Sequence, residues 1–218
     1  MSKATLTLTS KNYGAWSLRG WLLCKMAGLD FEEHVLESDD PSTRAELLLL
    51  APSFRVPCLR IDDMEVWDTL AIGEYLHESF PDAGLLPVDP RARAHCRAVC
   101  GEMHSGFANL RSALPMNIRA HHEDFKVWSG VQADIDRVTT VWDECLSAYG
   151  GPFLFGATPT MADAMYAPVC SRFHTYGIDL NETLQRYCDR ILALPLMEEW
   201  IAEAQKEPDA IEELENDF

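Results

Sequence analysis

Long apolar runs are missing from this sequence; no stretch approaches the roughly 20 residues that a membrane-spanning helix requires. Residues 4 to 9 alternate polar and apolar where a signal peptide would be continuously apolar, so a cytosolic chain is expected. Basic residues are scarce, with 18 Lys and Arg against 35 Asp and Glu, a net charge of −17. Nucleic acids and anionic membranes both call for a basic face, and neither is expected as a partner. No C-x-x-C pair occurs, and the seven cysteines at positions 24, 58, 96, 100, 145, 170 and 188 are odd in number and scattered. That spacing excludes a dithiol redox centre and a disulfide framework, and predicts reduced, mostly buried thiols. Internal repeats and low-complexity segments are also absent.

What is present suits a packed globular protein. Hydrophobic residues make up 47% of 218, enough for one large domain or two small ones. Much of the acid excess gathers near the end, at Glu207, Asp209, Glu212, Glu213, Glu215 and Asp217, and reads as a solvated helix end or frayed tail.

In chain order, residues 4 to 9 predict a strand, Ser10 to Ala15 a loop, and Ser17 to Ala27 a helix stopped by Gly28. Phe31 to Leu36 predicts a second strand and Pro41 to Leu50 a short helix. Two more strands and a helix then give the order β-α-β-α-β-β-α, which implies a mixed sheet with helices on both faces. Pro81, Gly84, Pro87 and Pro90 mark a linker over 81 to 90. Beyond it only helical periodicity appears. Cys96, Cys100, Met103, Phe107, Leu110 and Leu114 form one stripe up to Pro115, and Trp128 to Tyr149 a second. Thr160 and Asp163 have the spacing of a variant capping box, opening a helix to about Tyr176, and two further helices fall near 181 to 193 and 195 to 206. The reading is an α/β domain over 1 to 80, a linker over 81 to 90, and an all-α domain over 91 to 218.

The stretch from Ala51 to Leu76 has the make-up of a binding site. Val56 is held extended by the proline that follows, and Pro57 has no N–H to give a sheet ladder, so it belongs at a strand's start or edge, where a cis peptide fits. The free backbone groups of Val56 suit an extended ligand added as a strand. Asp62-Asp63 turns a hairpin, and Asp68 or Thr69 caps a helix with Leu70, Ile72 and Leu76 on its apolar side. The start of that helix sets unpaired N–H groups beside a hydroxyl, a setting for a carboxylate.

These residues resemble the glutathione-binding half of the glutathione transferase family. Val56-Pro57 matches the position where the family's cis-proline backbone pairs with the cysteinyl part of glutathione. Asp68-Thr69 matches the acidic-hydroxyl pair for the γ-glutamyl end, with Thr in place of the usual Ser. Phe155-Gly156 followed by Thr160-x-x-Asp163 is similar to the element that opens the family's buried second-domain helix, so the resemblance spans nearly the whole chain. It implies a thioredoxin-like N-terminal domain that holds glutathione through Arg55, Val56, Pro57, Asp68 and Thr69, a helical domain that shapes an electrophile pocket, no metal, and a symmetric homodimer.

Asn12 to Arg19 is similar to bacterial and zeta-like members, yet Gly14 and Ala15 stand where serines normally activate the glutathione thiol. Ser17, Tyr13 and Ser10 are within reach as substitutes; Ser17 also reads as the N-cap of the first helix, and Tyr13 as a packing residue. The resemblance implies an electrophile pocket near His104, Arg111, Met116 and Asn117. There Arg111 and Arg119 either hold an anionic substrate or serve as counter-ions on an acidic protein. Cys96, Cys100 and His104 share a helix face, but the outer two lie about 12 Å apart along a straight helix, too far for one zinc ion. Cys58 reads as a buried, inert strand thiol rather than a reactive one.

Two functions compete at this level. One is a glutathione transferase that conjugates a small electrophile or isomerises a maleyl-type diacid. The other is a catalytically weak member that binds glutathione or a protein partner through the same scaffold, which the loss of both serines favours. A disulfide-handling enzyme would need a cysteine at 14 or 15, and none is present.

Overall fold

The computed structural model describes residues 4–36, 56–122 and 125–207. Strand β1 (Ala4–Leu8) alternates buried and half-buried positions, as its sequence period of two requires. It lies at the centre of the sheet, parallel to β2 (Glu32–Val35) on one side and antiparallel to β3 (Cys58–Ile61) on the other. β4 (Met64–Trp67) completes the order β2-β1-β3-β4, pairing antiparallel to β3 with Leu59 opposite Val66. Asp62-Asp63 makes the hairpin turn, with Asp62 at φ 53°, a conformation Asp accepts more readily than most residues. The sheet is mixed, as the element order predicts. The helix expected over 41 to 50, and Arg55, lie outside the described residues.

Helix α1 (Ala15–Met26) begins two residues earlier than its pattern suggests, and its N-cap is Gly14 rather than Ser17. It is buried almost all round, because it packs against β1, against α2 (Thr69–Ser79) and against a helix of the second half, α6 (Met161–Thr175). Gly20 brings α1 onto the candidate site: a Cβ there would stand 2.6 Å from the Pro57 ring, so only glycine lets the helix sit directly on it.

Among its described residues the second half is built of helices, with one isolated bridge between Phe153 and Gly156 and no strand. The stripe from Cys96 to Leu114 does not form one helix. It divides into α3 (Pro90–Ser105) and α4 (Ala108–Ala113), because Gly106 is extended and Phe107 takes a left-handed φ of 58°. α5 (Ser129–Tyr149), α7 (Glu182–Leu192) and α8 (Pro195–Ala204) fall where the periodicity puts them. The capping box that opens α6 is formed, with Asp163 Oδ2 accepting from the Thr160 N–H at 2.7 Å and from its hydroxyl at 3.0 Å. The other oxygen accepts from the Leu154 N–H and the Tyr187 hydroxyl, so this buried carboxylate joins three segments. Six of the seven cysteines are buried and Cys58 is half-buried. Burial pushes the thiols of Cys24 and Cys145 up to about 12, which makes them inert.

Candidate active site

A cleft of about 140 Å³ opens where the hairpin, the start of α1, the start of α2 and the end of α3 converge. Val56, Pro57, Trp67, Asp68 and Thr69 line it together with Trp16 and His104. The Val56–Pro57 peptide is cis. Val56 precedes the first paired residue of β3, and no backbone hydrogen bond joins it to another described residue.

Asp68 is the N-cap of α2. Its Oδ1 accepts from the Leu70 N–H at 2.8 Å, and its backbone lies at φ 78°, a region that residues with a Cβ seldom enter. The second carboxylate oxygen is 2.5 Å from His104 Nε2, so the helical half of the chain touches the cleft through this contact. Thr69 follows at the first helical position. It is 1% exposed, and its hydroxyl is buried with no partner among the described residues. A buried hydroxyl left unpaired costs free energy, and beside it stand the unsatisfied N–H groups of a helix start. An anionic oxygen placed there would satisfy both.

The loop before α1 is tied from several directions. Ser10 Oγ donates to Glu207 Oε2 at 2.6 Å and accepts from the N–H groups of Asn12 and Tyr13. The same Glu207 carboxylate receives the N–H groups of Lys11 and Asn12. Asn12 Nδ2 donates to Asn117 Oδ1 at 2.9 Å, and Asn12 Oδ1 accepts from the Arg119 N–H at 3.0 Å. Ser17 faces the end of β1: its hydroxyl accepts from the Thr9 N–H at 2.9 Å, lies 3.0 Å from Thr9 Oγ1, and is 1% exposed on a residue that does not line the cleft. Tyr13 is buried.

Of the residues assigned to the electrophile pocket, His104 lines the cleft, and Arg111 is half-buried with its guanidinium carbon 5.7 Å from the centre of the Trp16 ring. Met116 belongs to the hydrophobic core, and Asn117 is buried as the partner of Asn12. Two residues that sequence reasoning left out matter here. Trp16 forms a wall of the cleft, its ring meeting the edge of His104 at 5.2 Å. Glu207 reads in the sequence only as part of an acidic tail, and nothing local signals its bonds to a loop almost 200 residues away. Among the described residues no group of three His, Cys, Asp or Glu side chains is placed to hold a metal ion.

Residues 13–79 match the model of the glutathione S-transferase N-terminal domain, and residues 117–203 that of the C-terminal domain. The chain belongs to the glutathione S-transferase family. The two matches together span more than two thirds of it. It is 27% identical to maleylacetoacetate isomerase of Mus musculus over 205 residues, 92% of each protein. Among solved structures, a glutathione transferase homolog from Burkholderia gl BGR1 with bound glutathione superposes with a TM-score of 0.70 at 23% identity, over 94% of this chain and 100% of that one. Maleylacetoacetate isomerase from Anaeromyxobacter dehalogenans 2CP-1, with glutathione in its active site, gives 0.66 at 24% identity, over 96% and 100%.

Proposed function

We propose that this chain is a glutathione-dependent enzyme whose cleft binds the peptide's γ-glutamyl carboxylate at Asp68-Thr69 and its cysteinyl backbone along Val56. The observation that carries the reading is the buried Thr69 hydroxyl, unpartnered among the described residues, at the start of α2 in a cleft that the Val56–Pro57 edge also lines. Bound there, glutathione supplies a thiol nucleophile for conjugation to a small electrophile or for isomerisation of a maleyl-type diacid. Relatives named maleylacetoacetate isomerase support the second reaction. A thioredoxin-like domain over 1 to 80 then carries the peptide and contributes Trp16 to the electrophile side, while the helical domain from 91 onward closes the cleft with His104 and bounds the electrophile with Arg111.

Activation of the thiol falls to the start of α1, whose N-terminus favours an anion by up to about 1 kcal/mol. Ser17 and Tyr13 stand in the same turn; the engagement of Ser17 with Thr9 supports a structural role for its hydroxyl. A cytoplasmic homodimer with a detoxifying role fits the acidic composition and the family. Calorimetric titration with glutathione, followed by turnover of maleylacetoacetate and a panel of electrophiles, tests the reading. Saturable binding with turnover of at least one substrate is expected. Glutathione bound without turnover of any of them would favour the weakly catalytic binding module.

A further inference from the structure

Three arginines gather behind Trp16 with little opposite charge among them. Arg19 on α1 and Arg172 on α6 are buried, and Arg111 on α4 is half-buried. The guanidinium carbons of Arg19 and Arg111 lie 4.5 and 5.7 Å from the centre of the Trp16 ring, the same indole that lines the cleft. Arg19 Nε donates to the Met165 carbonyl at 2.7 Å, which fixes its head against α6. Arg172 stands two turns further along that helix, within electrostatic reach of both Arg19 and Arg111.

Their donors are not used up. Among the described residues Arg19 Nη2 and Arg172 Nε and Nη1 are buried with no partner, and Arg111 Nη1 reaches the carbonyls of Met103 and His104 only at 3.4 and 3.3 Å. Among the described residues, one carboxylate acts on the trio: Asp134, on Arg111 alone, while also accepting from the Leu110 N–H. Burial and the neighbouring arginines bring Arg172 down to about 10 and hold Arg19 well below its usual range. At neutral pH the Arg172 group still carries its charge, and like charges buried together with idle donors are costly unless an anion answers them.

We infer that Arg19, Arg111 and Arg172 form a site for one carboxylate-sized monoanion, held by charge-assisted hydrogen bonds behind Trp16. Its occupant is either a free anion or the carboxylate of a substrate reaching past the indole. The second source rests on the glutathione reading of the cleft; the first does not.

The full-length protein, dialysed into sodium gluconate, is titrated with sodium bromide at constant ionic strength while its thermal midpoint is followed. A saturable rise is expected, and crystals grown in bromide should show anomalous density within hydrogen-bonding distance of Arg172 Nη1 and Arg19 Nη2. Arg172→Met should weaken the apparent bromide affinity by about tenfold to a hundredfold, the loss of charged hydrogen bonds. Arg111→Met gives a second reading if the Arg172 variant does not fold. A midpoint indifferent to bromide, with no anomalous peak at the trio, would overturn the inference whether or not glutathione binds, since this arm contains none. Displacement of the bromide by S-carboxymethylglutathione but not by S-ethylglutathione would identify the anion as a substrate carboxylate. Retention with both would identify a resident ion.

Discussion

Gly14 is closed against Ser10. Its N–H donates to the Ser10 carbonyl at 2.9 Å, and a Cβ on Gly14 would overlap that carbonyl oxygen and stand 2.7 Å from Thr9 Oγ1. The glycine is therefore a packing requirement of this loop, and the serine expected at that position from related sequences has no room.

Gly14→Ser should accordingly destabilise the protein, by about 1–3 kcal/mol as overpacking does, without raising turnover at pH 7. Thermal unfolding and a rate assay check both. A variant as stable as the parent and faster would show that the loop opens to accept the hydroxyl. Ala15→Ser is the substitution left for restoring an activator, since position 15 already carries a Cβ.

The pH profile follows from the same loop. With neither 14 nor 15 carrying a hydroxyl, and Ser17 bound to Thr9, the thiol of bound glutathione should keep a pKa not far below the free value of about 8.5. Turnover should rise through about pH 8 to 9 as thiolate accumulates. Ser17→Ala should lower stability more than it lowers turnover. A large fall in turnover with stability intact would make Ser17 the activator.

Asp163 gives a pH dependence of stability opposite to that of a salt-bridged carboxylate. Burial raises its pKa above the ordinary 3.8, against the pull of four hydrogen-bond donors. A carboxyl with a raised pKa in the folded state contributes stability that is complete below pH 3.8 and is lost as pH rises through the folded value. The stability of the parent relative to Asp163→Asn should therefore fall as pH is raised from about 4, then level off. A difference that grows over that range would contradict it. Thr160→Ala should cost about 1 kcal/mol and leave glutathione affinity unchanged.

What was legible in the sequence is what local chemistry dictates. Val56-Pro57 restricts its own backbone, Asp68-Thr69 advertises a cap, and Thr160 to Asp163 has the spacing of a capping box; each stands where the sequence puts it. The break between α3 and α4 was hidden because it turns on Phe107 in a left-handed conformation, which no propensity assigns to a bulky aromatic. Serine is the better capping residue and so points to Ser17 as the N-cap, whereas Ser17 lies inside the helix and bonds back to Thr9. The burial of Arg19 and Arg172 carries no sequence signal, since charged residues within helical patterns usually face solvent. Only the packing of α1 against α6 buries them together. Glu207 was hidden for a different reason: its partners lie at the far end of the chain.

The central claim is that glutathione's γ-glutamyl carboxylate is held at the start of α2, and titration calorimetry of the parent beside Thr69→Ala tests it most directly. The Thr69 hydroxyl has no partner among the described residues, so removing it should leave the fold intact while taking one hydrogen bond from a charged group. The variant should unfold at the parent's temperature and bind glutathione more weakly by about 1.5–3 kcal/mol. Equal affinity in the two proteins would contradict the assignment.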